Sequence, residues 1–329
     1  MSARLPITSK ATWVAADVAD SSRWVERLSA GQGQEIVREA RAAEDRGHTP
    51  ETLRAEDFAL PALAARAAEW SRTLRDGRGF VLVRGFPIDQ LTPAQVELAY
   101  VGLGLQLGTP VSQDAKGSLL GHVRDEGVER RDPSVRLYQT NQRQDFHSDG
   151  ADIVGLLCLR PARRGGESRI ASTGAIYNRI LDARPDLIDV LYEPMYWDRN
   201  NEESEGEDPY FALPVLNDVD GSPRMFFIGW YIRDAQRHPG VPPLTEAQLE
   251  AIEEIEAVAN DPVVHLEMAF EPGDIQLLAN AKILHCREAY DDDEDPARRR
   301  HLLRLWLAAH SFTSVDEVLR GGIPAKKGA

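Results

Sequence analysis

The spacing of apolar and polar positions changes character about a quarter of the way along the chain. Before residue 79 it is helical. Residues 31–46 set Ile36, Val37 and Ala40 in one stripe among Glu and Arg. Residues 61–76 repeat the pattern with Leu63, Trp70 and several Ala, and Gly77 and Gly79 punctuate the end. Residues 1–30 show no period and are expected to be irregular, with Trp13 and Trp24 as packing anchors. Beyond Gly79 strand patterns dominate. Residues 80–86 form a continuous apolar run, 154–159 another, and 119–123, 135–140, 169–171 and the aromatic-rich 224–232 are strand-like. Residues 263–270 alternate, 275–278 and 283–286 are short strands, and 300–307 is the last long one. Helices interrupt at 93–107, with Thr92 as N-cap and Pro93 in the first turn, and at 174–182, capped by Thr173. Two more are expected at 185–192 and at 244–259, the latter capped by Thr245. Helices first, then many short strands with one helical excursion, predict an α+β chain with a jelly-roll-like core.

One stretch carries chemistry on this frame: Phe146-His147-Ser148-Asp149-Gly150, a strand end running into a turn. Residues i and i+2 of a strand share a face, so His147 and Asp149 present an imidazole and a carboxylate to one point. A distant histidine would complete a facial set able to hold non-haem Fe(II) with open positions. His285, in Asn280-Ala281-Lys282-Ile283-Leu284-His285, is the candidate. On the last strand Arg300, Leu302, Arg304 and Trp306 share one face, which is hard to bury without an anionic partner. A metal triad with carboxylate-binding arginines is the equipment of a 2-oxoglutarate-dependent oxygenase. His265-Leu266-Glu267 is a rival His-x-carboxylate pair, but alternation puts Val264, Leu266, Met268 and Phe270 on one face and leaves His265 and Glu267 facing solvent.

Charge narrows the partners. The formal net charge of the 329 residues is -15, from 38 Lys+Arg against 53 Asp+Glu, which argues against nucleic acid or an anionic membrane surface. A small anionic ligand in a locally basic pocket remains compatible. Two cysteines, Cys158 and Cys286, make no disulfide framework, and the N-terminal stretch lacks the apolar segment of a signal peptide, so a cytoplasmic location is expected. Acidic stretches at 200–209 and 291–296 are expected to be exposed loops and plausible lids.

From about Gly79 to Leu307 the chain resembles the TauD/TfdA family of Fe(II)/2-oxoglutarate-dependent oxygenases. The resemblance rests on Phe146-His147-Ser148-Asp149-Gly150, Arg164-Gly165-Gly166-Glu167-Ser168, Pro272-Gly273-Asp274, the Asn280 to His285 segment and Arg299-Arg300-His301-Leu302-Leu303-Arg304, in the family's order. It implies a double-stranded β-helix core over 79–315, with 1–78 as a helical N-terminal extension, in one catalytic domain spanning 1–329. It implies iron bound by His147, Asp149 and His285, with O2 and 2-oxoglutarate as cosubstrates. Ser168 matches a position the family often fills with a hydroxyl that meets a 2-oxoglutarate carboxylate. Arg300 and Arg304 match its two arginines, the second of which also approaches the substrate anion in taurine-type members. The separation of His285 and Arg304 is longer here than in the taurine type, which leaves the division of labour between the arginines open, and the residues before His147 do not match the taurine enzyme's substrate pattern. Tyr138, Asn141, Trp230 and Arg304 are the candidates for contact with a small organic, anionic substrate. Two other classes fit part of the pattern, a zinc hydrolase and a non-catalytic jelly-roll binding protein, with or without self-association. The arginine strand has no explanation in the first, and intact ligands have none in the second.

Overall fold

A computed structural model describes residues 4–128, 135–203, 205–219, 221–310 and 322–323. Helix and sheet are mixed. The larger sheet runs, in spatial order, through Val25–Arg27, Phe80–Arg84, Ile275–Ala279, Ile153–Arg160, His301–Ala309 and Gly108–Pro110, with Leu120–Val123 also paired to His301–Ala309. The smaller sheet runs through Leu266–Met268, Ser168–Ser172, Ile283–Arg287 and Gln144–His147. Within these two sheets the described strands all pair antiparallel except Val25–Arg27 with Phe80–Arg84.

Period-2 alternation sorts the side chains into layers. Val81, Val83, Ile275, Leu277, Leu303, Leu305 and Leu307 form one core with the three N-terminal helices, Ala30–Asp45, Pro61–Asp76 and Pro93–Gly104. Their strand neighbours Phe80, Leu82, Val154, Leu278 and Trp306 point the other way and meet Ile170, Met268 and Ile283 of the smaller sheet. The two sheets therefore face each other. Phe146, Ala171, Leu284 and Cys286 turn outward from the smaller sheet onto the helices Thr173–Ala183, Pro185–Leu191 and Glu246–Asn260. Trp13 and Trp24 are buried and pack on the Phe80 ring at 5.2 and 5.9 Å, as packing anchors should.

Capping chemistry places the helix starts. Ser29, Thr92 and Thr245 each accept a bond from the backbone three residues on, with Gln32, Gln95 and Gln248 returning it. Three expectations need correction. The cap of Thr173–Ala183 is Ser172, whose hydroxyl accepts from Ala175, so Thr173 is already helical. Residues 135–140 hold a single 3-10 turn, Leu137–Gln139, closed by the Thr140 hydroxyl on the Leu137 carbonyl, and no strand. In 224–232 the strand stops at Met225, and Trp230 and Tyr231 lie on a short helix, Gly229–Asp234. The expected core boundary at 315 and Ser204 of the 200–209 loop lie outside the described residues. Among the described residues no helix is long and apolar enough to cross a membrane.

Candidate active site

The smaller sheet brings the two candidate histidines together. His147 ends one strand, His285 lies on its neighbour, and the two are register partners. Their rings stand 4.1 Å apart between centroids. Asp149 sits in the turn after His147, with its carboxylate oxygens 3.7 Å from His147 Nε2 and 3.6 Å from His285 Nε2. All three side chains are buried, and each offers one ligand atom within 4.8 Å of the others.

The turn that carries Asp149 is clamped from two sides. Asn280 accepts from the Asp149 N–H at 2.8 Å and its amide donates to the Asp149 carbonyl. Ser148 donates its N–H to the Phe227 carbonyl at 2.7 Å, and its hydroxyl accepts from the Phe227 N–H. His147 Nδ1 donates to the Asp145 carbonyl at 2.8 Å, which fixes the tautomer and leaves the Nε2 lone pair toward Asp149. The Gln144 amide nitrogen lies 3.0 Å from that lone pair.

Electrostatics keep the three groups in ligand form. Burial lowers the pKa of His147, and lowers that of His285 to about 3 with help from the neighbouring imidazole, so both rings are neutral near pH 7. Burial alone would raise Asp149; Arg304, His285, His147 and the Trp306 indole N–H outweigh it and hold the carboxyl at about 2. Two neutral imidazoles and one carboxylate are the donor set of a facial iron site. His285 Nδ1 is buried without a partner, and the group of three could hold a divalent ion.

The arginines sit beside the triad. Arg304 NH1 is 3.4 Å from both Asp149 oxygens, and its Nε donates to Gln113 Oε1 at 2.7 Å. Gln113 in turn donates to the carbonyls of Leu119 and Arg304, so one buried amide fixes both ends of that arginine. The Tyr138 and Trp306 rings lie 4.8 and 4.7 Å from its guanidinium. Arg300 is buried beside Gly166, where a Cβ would stand 3.2 Å from Arg300 Nε. Its NH1 has no partner, and neither has Arg304 NH2. Ser168 is buried with its hydroxyl against the Gln276 amide. A cavity of about 440 Å³, counting its open mouth, is lined by His147, His285, Ser168, Arg300, Arg304 and Tyr138, among others.

Trp230 is outside that lining but packs on the His147 ring at 5.1 Å. Asn141 is exposed and contributes only its backbone carbonyl, which accepts from the Tyr290 N–H. His265 is buried, contrary to the solvent-facing expectation: its Nδ1 lies 3.1 Å from the Ala259 carbonyl and its ring against Phe146. Glu267 is exposed and pairs with Arg169, so the rival pair does not converge. Sequence reasoning missed Gln113, Gln276 and Arg287. Arg287 lines the cavity two residues after His285, a parity signal that was available; the two glutamines lie in unrelated segments and gave none.

The model of the "Taurine catabolism dioxygenase TauD, TfdA family" matches residues 44–306. The chain belongs to this family. It is an iron- and 2-oxoglutarate-dependent dioxygenase. FR-33289 synthase of Streptomyces rubellomurinus (strain ATCC 31215) is 34% identical over 307 residues, covering 92% of this chain and 90% of the synthase. A uridine-5'-phosphate dioxygenase from Streptomyces sp is 25% identical over 279 residues, covering 79% and 91%. Among solved structures, the non-heme iron oxygenase OrfP in complex with Fe and alpha-ketoglutaric acid superposes with a TM-score of 0.65 at 16% identity, over 86% of this chain and 93% of that one.

Proposed function

We propose that His147, Asp149 and His285 hold the Fe(II) of this dioxygenase, and that the facing sheets form a double-stranded β-helix working as one catalytic unit. The observation that carries this is the convergence of two neutral imidazoles and one ionised carboxylate, all buried, beside a cavity that both histidines line. When bound, iron with 2-oxoglutarate supplies the oxidising power to cleave an unactivated C–H bond. The chain's own residues bind, orient and exclude water. Arg300 and Ser168 take the distal carboxylate of 2-oxoglutarate, because Arg304 already spends NH1 on Asp149 and Nε on Gln113 and has only NH2 left, whereas Arg300 NH1 is free and Ser168 and Arg300 line the same cavity. Arg304 and Tyr138 face the primary substrate, and Trp230 braces the His147 ring.

The substrate is a small organic molecule with an anionic group. Support comes from the buried guanidiniums in a chain of net charge -15 and from the phosphate-bearing substrate named for one relative. Long polyanions are disfavoured, since their binding rests on many Lys and Arg contacts. The test is succinate release with Fe(II) and 2-oxoglutarate across panels of small acids, phosphate and phosphonate esters, oligonucleotides and peptides. Stimulation by a small anion is expected. Stimulation by oligonucleotides or peptides alone would overturn the substrate class.

A further inference from the structure

Arg287 is a buried cation outside both the triad and the Arg300–Ser168 pair. It lies two residues after His285 on the same strand face, and its backbone register partner is Ser168. The side chain is 6% exposed and lines the cavity. Its NH2 donates to the carbonyls of Leu137 and Gln142, while Nε and NH1 have no partner. Arg287 and Arg300 each lie 5.0 Å from the centroid of the Tyr290 ring. The acid that acts on Arg300 is Asp292, which accepts from the Arg300 backbone N–H at 2.6 Å and reaches the guanidinium only through its charge. Two desolvated guanidiniums around one ring, with free N–H groups and, among the described residues, no carboxylate bonded to either guanidinium, are costly to bury unless an anion arrives from outside.

We propose that Arg287 is a third contact, beside Ser168 and Arg300, for the distal carboxylate of 2-oxoglutarate. This rests on the reading of the cavity as the 2-oxoglutarate site. Ser168 sits directly across the strand pair from Arg287, so a carboxylate at the serine hydroxyl comes within reach of the arginine's free nitrogens. The NH2 bonds hold the guanidinium in place before any ligand arrives, which limits the side-chain entropy lost on binding.

The test is calorimetric binding to the Fe(II)-loaded protein under argon, comparing 2-oxoglutarate with 2-oxobutyrate, which lacks the distal carboxylate. Arg287→Lys keeps a donor for the Leu137 and Gln142 carbonyls but loses the planar fork. The variant should bind 2-oxoglutarate about 10–100-fold more weakly, while 2-oxobutyrate changes by less than about threefold. Equal weakening of both ligands would assign Arg287 to holding the loop alone and overturn the proposal, as would no weakening of either. A wild-type protein that does not distinguish the two ligands would refute the reading of the cavity itself, and the assignment with it.

Discussion

Asn280 and Gln113 touch no ligand position, yet each fixes a group that does. Asn280 holds the backbone of Asp149 through both its amide atoms, so the carboxylate is aimed by a residue on another segment. Partners of this kind are typically worth about 10–100-fold in metal affinity. Asn280→Ala should therefore weaken Fe(II) binding by about that factor while the fold persists, measured by metal titration alongside circular dichroism. At this scale the convergence of His147, Asp149 and His285 was legible in their types and order, but not through strand parity: the strand ends at His147, and the turn after it, held by Asn280, aims the Asp149 carboxylate. Arg287 shares the strand face of His285 through the strand's period of two. His265 was misread because alternation was extended over residues 263–270, whereas the strand is only Leu266–Met268 and the histidine turns in under Ala259.

Between elements, polar pins hold the sheets in register. Asp274 is fully buried and takes a two-pronged bond from Arg84, at 2.7 Å each, tying the turn after residue 271 to the Phe80–Arg84 strand. Asp274→Asn should cost about 3 kcal/mol, the lower end for breaking a buried pair because Arg84 keeps some solvent; urea unfolding would show it as a lower midpoint at unchanged slope. A second pin is titratable. His301 meets His122 at 2.9 Å on the adjoining strand, with Arg160 at 3.4 Å, and Glu97 is 3.8 Å from His122. Burial, then His122, Arg160, Arg124 and Arg300, lowers His301 to about 4. The unfolded chain takes up this proton below about 6.5 and the native chain does not until about 4, so this contribution is full above 6.5 and erodes as pH falls. The Tm should drop between pH 7 and pH 5, and His301→Gln should flatten that drop. Helices were legible where caps announce them, as at Thr92 and Thr245. Residues 224–232 were not, because their aromatics are there to fill the core around Trp197 and Phe227, and burial overrides strand propensity.

Across the whole molecule, charge and layers act together. A chain of net charge -15 places Arg287, Arg300 and Arg304 inside, between sheets whose outer faces are sealed by helices. Burial of this kind strengthens each cation toward an anionic ligand. The acidic 200–209 stretch is tied to the segment that carries Tyr138, since Glu202 pairs with Arg136. That bond was invisible in sequence, where the stretch looked like a solvated loop. The layered arrangement was largely foreseeable from the change of period near Gly79; long-range pairs such as Arg136 with Glu202 have no local pattern that announces them.

The central claim is that one iron ion is held by His147, Asp149 and His285, and titration of the metal-free protein with Fe(II) under argon tests it most directly. One site per chain is expected, lost in His147→Ala, Asp149→Ala and His285→Ala and retained in His265→Ala. Full binding in His285→Ala, or its loss in His265→Ala, would contradict the account.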